Sequence, residues 1–218
     1  MLLALDTATR WTGLALHDGT TVVAEHGWRS HNTQTVEVAP AVHQMLARAG
    51  ITAEDLKGVA VALGPGSYTG LRIGLGFAKG LVLAQQIPLV GVPTLEIVAA
   101  AVPHCDGELV VVAEAGRTRI TTAVYHWQKR GGWATSEGPV NETWEALLER
   151  LEPPVMIAGE LSPAALKQIR AAGKGYRAVD APARVRRAGV LADLGWHRLR
   201  RGDVDDPAQL TPLYLREP

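Results

Sequence analysis

Cysteine is almost missing from this chain. Among its 218 residues only Cys105 carries a thiol, which excludes an intramolecular disulfide framework and fits a reducing compartment. Net charge is missing too: 22 Lys and Arg stand against 22 Asp and Glu, so no global field draws the chain towards nucleic acid or an anionic membrane. Any RNA contact must then be local or shared. Apolar runs are interrupted by Lys79, Glu96 and several prolines before reaching the roughly 20 residues of a bilayer-spanning helix. The opening Met1–Leu5 run meets Asp6 at once, with neither the basic region nor the apolar length of a signal peptide. A cytoplasmic protein without a membrane partner is expected.

What is present is an ordinary globular composition, 47% hydrophobic, enough to bury a core in one domain or two small lobes. The balanced charge is unevenly spread. Between Lys167 and Arg201 ten Lys or Arg face only Asp180 and Asp193. The plainer reading of that excess is a solvated helical face, and it is preferred here; the sharper one is a phosphate-facing patch within a larger RNA surface.

Residues 2–6, 12–17 and 20–26 read as three short strands, with Asp18-Gly19 as a two-residue hairpin signal. Apolar positions Val38, Val42, Met45, Leu46 and Ala49 recur at helical spacing before the stop at Gly50. Val59–Leu63 is a strand of the kind buried on both faces. A helix over 70–85, a strand over 89–92 and a helix over 94–102 follow, and turn formers at 103–107 place a lobe boundary near residue 104. The expected division is therefore 1–104 and 105–218. The second lobe restarts with strands at 109–113 and 120–127, a helix at 144–151, a strand at 155–158 and helices at 163–171 and 188–200.

The most distinctive stretch is Gly64-Pro65-Gly66-Ser67-Tyr68-Thr69-Gly70-Leu71-Arg72-Ile73-Gly74, set between a buried strand and a helix. Three catalytic look-alikes fail on named residues. A phosphate-binding P-loop needs Gly-Lys-Ser/Thr, but Gly70 is followed by Leu71-Arg72. A nucleophile elbow needs glycines two before and two after its serine, where Ser67 has Pro65 and Thr69. A dinucleotide fingerprint needs an acid ending the next strand, and Leu89-Val90-Gly91-Val92 supplies none. What remains is structural: glycines for tight turns, and Ser67 or Thr69 as a helix cap whose N-terminus could hold an anion. The helix carries Gly74, Gly76 and Gly80, each costing about 1 kcal/mol against alanine. Gly70 with Gly74, and Gly76 with Gly80 and Ala84, form two smooth stripes suited to close packing, on the chain's own sheet or on a neighbouring subunit.

This stretch, with Leu5-Asp6-Thr7-Ala8-Thr9, Ala78-Lys79-Gly80-Leu81, Ile87-Pro88-Leu89-Val90-Gly91-Val92 and Pro212-Leu213-Tyr214-Leu215-Arg216, resembles the TsaB (YeaZ) family, an inactive homologue of the TsaD family. The resemblance implies an α/β, actin-like ATPase (ASKHA, ribonuclease H-like) two-lobed fold with mixed sheets flanked by helices. It implies a non-catalytic subunit of the complex that forms N6-threonylcarbamoyladenosine in tRNAs reading codons that begin with adenine. That subunit dimerises with and activates the catalytic subunit TsaD, works with the ATPase TsaE, forms a homodimer when isolated, and meets tRNA only through the complex. It carries no cofactor of its own; ATP and a metal belong to the assembled complex. The implied partner interface is Tyr68, Leu71, Gly74, Leu75, Gly76, Lys79 and Gly80.

TsaD relatives bind metal through a His-x-x-x-His pair after the strand ending in Gly-Val. Thr94 and Val98 stand at those places here, and neither can replace an imidazole nitrogen. The seven histidines show no i,i+3 or i,i+4 pair, so no metal site is expected. Asp6, Thr7 and Thr9 sit where actin-like ATPases place groups near phosphate and magnesium, and Ala158-Gly159-Glu160 resembles a shortened adenine-side turn, so nucleotide binding at these residues is conceivable. Asp6 could equally cap the turn that follows it. Glu114-Ala115-Gly116-Arg117 departs from the Asp-Ala-Arg-Arg-like run of the family. The alternatives kept open are an enzyme acting on its own, an actin-like ATPase or kinase or a peptidase, and a free-standing homodimer with another binding role.

Overall fold

The structure, a computed structural model, describes residues 1–115 and 119–215; Gly116 and Arg117 of the departing run lie outside the described residues. The chain forms two compact units. The first comprises Met1–Thr94 and Arg187–Tyr214, and the second is built on Leu95–Arg186.

The first unit opens with β1 (Leu2–Asp6), β2 (Trp11–His17) and β3 (Val22–Arg29), followed by α1 (Gln34–Arg48), β4 (Gly58–Ala62), α2 (Tyr68–Gln85) and β5 (Leu89–Val92). Its sheet runs β3-β2-β1-β4-β5; β3, β2 and β1 are antiparallel, and β1, β4 and β5 are parallel. Because side chains alternate along a strand, Leu3, Leu5, Val59 and Val61 join Val38, Val42, Met45, Leu46, Leu75, Ala78 and Val82 of the two helices in one core. Leu2 and Ala60 point the other way and meet Gly195. A sheet covered on both faces explains why β1 and β4 are buried at every residue. The β2–β3 connection is longer than a two-residue hairpin: Asp18 Oδ1 accepts from the backbone N–H groups of Thr20 and Thr21, which closes the Asp18–Thr21 loop.

The second unit comprises α3 (Thr94–Ala101, of which Thr94 belongs to the first unit), β6 (Glu108–Glu114), β7 (Ile120–Gln128), β8 (Gly132–Glu142), α4 (Trp144–Arg150), β9 (Val155–Gly159), α5 (Pro163–Ala172) and β10 (Tyr176–Ala178). The order β10-β9-β6-β7-β8 repeats the plan of the first sheet, three antiparallel strands continued by two parallel ones. Leu95, Val98, Ala99 and Val102 cover one face of this sheet, and Leu147, Leu151 and Ile169 cover the other.

The division at residue 104 is therefore displaced at both ends. The apolar side of α3 is spent on the second sheet. The last helix, α6 (Ala188–Arg200), returns to the first: Gly13 lies against Ala188, Gly58 against Leu199 and Gly195 against Ala60. Glu25 fastens its start, accepting from Arg187 Nη2 at 2.8 Å and from the Gly189 N–H at 3.0 Å.

Candidate functional site

The glycines and the serine of the Gly64–Gly74 stretch each have a local physical reason. Ser67 is the N-cap of α2, its hydroxyl accepting from the Gly70 N–H at 3.2 Å. Gly64 has φ +112°, the left-handed region that favours glycine. Gly66 and Gly70 are glycine because of what they touch: a Cβ on either would stand 2.2 Å from the carbonyl oxygen of Ala8 or Thr7 respectively. The start of α2 rests directly on the β1–β2 turn, and the Ser67 N–H donates to Ala8 O at 2.6 Å.

The three residues of that turn expected near a nucleotide do come together, and each is engaged within the turn or with α2. Asp6 Oδ1 accepts from the Ala8 N–H at 2.9 Å, the turn-capping role. The Thr7 hydroxyl donates to Gly70 O at 2.7 Å, and the Thr9 hydroxyl accepts from the Trp11 N–H at 3.2 Å. All three residues are buried. Gly159, the fourth residue of that expectation, lies in the second unit at φ +103°, where a Cβ would stand 2.1 Å from Val112 O. Close approach between β9 and β6 accounts for this glycine without a ligand.

The two smooth stripes of α2 have different fates. Gly70 and Gly74 face inward, and a Cβ on Gly74 would meet the Thr7 hydroxyl at 2.2 Å. Leu71 and Leu75 are buried in the same unit. Gly74, Leu71 and Leu75 thus belong to the chain's own packing and are corrected out of the expected interface. Gly76 and Gly80 face outward with nothing within 4 Å of a built Cβ. Around them stand Tyr68, 55% exposed, and Leu83, 69% exposed, with Lys79 half-buried beside them.

Tyr68 is also organised. Its ring stacks on Tyr214 at 5.1 Å, and the Arg72 guanidinium lies 4.0 Å over its centre. Arg72 Nε donates to the Tyr214 hydroxyl at 3.0 Å, which raises the guanidinium pKa above its ordinary value. The terminal segment is brought here by the Leu213 N–H, which donates to Leu63 O at 2.8 Å. Arg72 and Tyr214, quoted in the motifs but not assigned to the interface, and Leu83, which was not singled out, are the surface residues that the expected interface lacked. The signal was available in the four-residue step from Tyr68 through Arg72 and Gly76 to Gly80, which marks one side of a helix.

At the place of the metal-binding pair, Thr94 is fully buried and bonded to the glycine loop within the first unit. Its hydroxyl accepts from the Gly64 N–H at 2.9 Å, and its own N–H donates to Gly64 O at 2.7 Å. Val98 is in the core of the second unit. Among the described residues no group of three or more His, Cys, Asp or Glu side chains could hold a metal ion. Among the same residues no helix is long and apolar enough to cross a membrane.

Comparison with known proteins places these features. The family model for TsaD, tRNA N6-adenosine threonylcarbamoyltransferase, matches residues 22–137. The tRNA threonylcarbamoyladenosine biosynthesis protein TsaB of Bacillus subtilis is 35% identical over 162 residues, 72% of this chain and 70% of that protein. The TsaB protein of Escherichia coli is 34% identical over 154 residues, 69% of this chain and 66% of its own length. YeaZ from Pseudomonas aeruginosa superposes with a TM-score of 0.79 over 98% of this chain and 99% of that one, at 24% identity, a likeness of fold. The fold extends to an activator of a 2-hydroxyisocaproyl-CoA dehydratase from Clostridium difficile, solved with ADPNP, at TM-score 0.56 over 98% and 99% of the two chains and 9% identity. Both sheets thus belong to a two-lobed actin-like architecture, and by sequence the chain belongs to the TsaB (YeaZ) family.

Proposed function

We propose that this chain is a non-catalytic subunit of the machinery that forms N6-threonylcarbamoyladenosine in tRNAs reading codons that begin with adenine. It pairs through the outer side of α2 with a TsaD-like catalytic subunit, activates it, and works beside a TsaE-like ATPase in the cytoplasm. In isolation the same side pairs with a second copy. ATP and a metal serve the assembled complex, and the chain has no cofactor of its own.

The observation that carries this reading is the outer glycine pair. Gly70 and Gly74 are required by contacts within the chain, whereas a Cβ on Gly76 or Gly80 would meet nothing within 4 Å, and each still costs about 1 kcal/mol relative to alanine. A second helix laid along this row would come close to the backbone there. Tyr68 and Arg72 beside it are the residue types that concentrate binding energy at protein interfaces.

The hydroxyls and backbone donors around Asp6 support the non-catalytic reading. Thr7 and Thr9 serve the fold through their hydroxyls, while the Ser67 and Gly70 N–H groups at the start of α2 are already donating. Thr94 and Val98 are likewise committed to structure. The test is size-exclusion chromatography of the purified chain with and without the TsaD-type subunit of the same organism. Co-elution as a complex is expected. A chain that stays monomeric alone and elutes apart from that subunit would refute the proposal.

A further inference from the structure

In the second unit, three arginines from three elements converge on one hollow. Arg170 lies in the last turn of α5, Arg177 at the centre of β10, and Arg184 at the end of a short 3-10 turn, Ala181–Arg184. They line a surface hollow of about 370 Å3, whose other walls include Ile169, Tyr176 and Val179 and whose acidic residue is Asp180. The strand that carries Arg177 is the edge of its sheet, and Arg170 and Arg177 are exposed.

What this hollow adds is convergence, since among the described residues unpaired arginines such as Arg10, Arg29 and Arg48 also occur elsewhere in the chain. Arg150, Arg186, Arg187 and Arg198 are each held by a carboxylate, Glu137 and Glu142, Glu160, Glu25, and Asp203 respectively. Among the described residues Arg170, Arg177 and Arg184 have no such partner. Lys167 and Lys174 stand in the same stretch, where five Lys or Arg from Lys167 to Arg184 face Asp180. In a chain of zero net charge, this concentration leaves like charges together with only Asp180 of the hollow to offset them, and an anion with several charges would relieve it.

The guanidinium fork matches phosphate oxygens two at a time, and three forks around one hollow suit repeating phosphates better than one isolated carboxylate. We propose that this hollow grips successive phosphates of an RNA backbone, giving the subunit its own hold on the tRNA. The choice of RNA rests on the proposed function; the anion chemistry does not.

The test is fluorescence anisotropy of a labelled tRNA transcript titrated with the full-length chain between about 50 and 300 mM KCl. Each phosphate contact contributes roughly 0.9 to the slope of log affinity against log salt. The variant R170A/R177A/R184A is expected to bind at least about tenfold more weakly at low salt and to lose about 2 to 3 from that slope. The control K57A/K129A/R130A, which removes three cations elsewhere, should stay within about twofold of the parent. Should the triple variant melt early, R170E/R177E, which changes two exposed positions, keeps the test open.

An unchanged affinity in the hollow variants, or no binding by the parent at low salt, overturns the proposal. So does displacement of tRNA by inorganic phosphate at constant ionic strength, which would mark a small-phosphate site. Displacement by polyglutamate at charge concentrations where polyuridylate fails would mark a site for an acidic protein and overturn it equally. None of these failures affects co-elution with the TsaD-type subunit, so the two readings fall separately.

Discussion

The inward and outward sides of α2 use the same residue for opposite ends. Inside, glycine is imposed by distance: Gly70 and Gly74 sit where any Cβ would enter the Thr7 carbonyl or hydroxyl. Outside, Gly76 and Gly80 meet open space, so the folded chain alone gives no reason to keep them. A glycine-rich helix therefore cannot be read as an interface or as a packing seam from spacing alone. The partner atoms around each position decide, and here one helix holds both kinds.

The largest effect is expected on the inner side. Gly74→Val or Gly70→Val should destabilise the chain by about 3 kcal/mol, since overpacking of a rigid contact costs about 1–3 kcal/mol and a carbonyl oxygen cannot move aside cheaply. Thermal melts of the purified variants check this. A variant that melts with the parent would remove the distinction between the two sides.

A smaller effect, confined to association, is expected at Tyr68→Ala. Loss of the ring that stacks on Tyr214 and underlies Arg72 should weaken pairing by about 2 kcal/mol, read by sedimentation equilibrium, with little change in melting temperature. A stability loss matching the loss of pairing would instead make the Tyr68–Arg72–Tyr214 cluster a fastening for the terminal segment.

The smallest effect is expected away from α2, where Glu25 holds the start of α6. Burial alone would raise the Glu25 carboxyl, but the Arg187 guanidinium and the Gly189 and Ala188 N–H groups outweigh it and hold the pKa below its ordinary value. Its contribution is present in full above the unfolded carboxyl value of about 4.3 and disappears as pH falls through the lower folded value. Glu25→Gln should thus lower the melting temperature slightly near neutrality and converge with the parent as pH falls through the lowered folded value of Glu25. Pairing should be unaffected, and a change in pairing would show that α6 also shapes the outer side of α2.

The parts of the fold legible in the sequence are those whose cause is local. The apolar runs of β1, β4 and β5 and the Ser67 cap announce themselves because burial and capping leave a mark within a few residues. The strand β8 was not expected: its residues, Gly132–Glu142, are mostly exposed at a sheet edge and include Gly138 and Pro139, so no alternation survives. Three-residue β10 is too short to show a period. The helices α3 and α6 were legible as helices but not by address, because which sheet a helix covers is settled by long-range packing.

The candidate site divides in the same way. Tyr68, Lys79, Gly76 and Gly80 were legible on the outer side, whereas Leu71, Gly74 and Leu75 were drawn in by proximity and lie one row away, in the core. Tyr214, more than a hundred residues from Tyr68, could be matched by motif but not by position. Asp6, Thr7 and Thr9 lie together by sequence alone, and the hydrogen bonds each makes within the turn and to α2 could only be seen once α2 was in place.

The most direct test of the outer side is the double variant Gly76→Ala/Gly80→Ala, measured for melting temperature and for association with itself and with a TsaD-type subunit. Two methyl groups in open space should stabilise the isolated chain by about 1–2 kcal/mol while weakening association about tenfold or more, because the helix laid against that row can no longer come as close. A chain that becomes more stable and pairs as tightly as before would contradict the account.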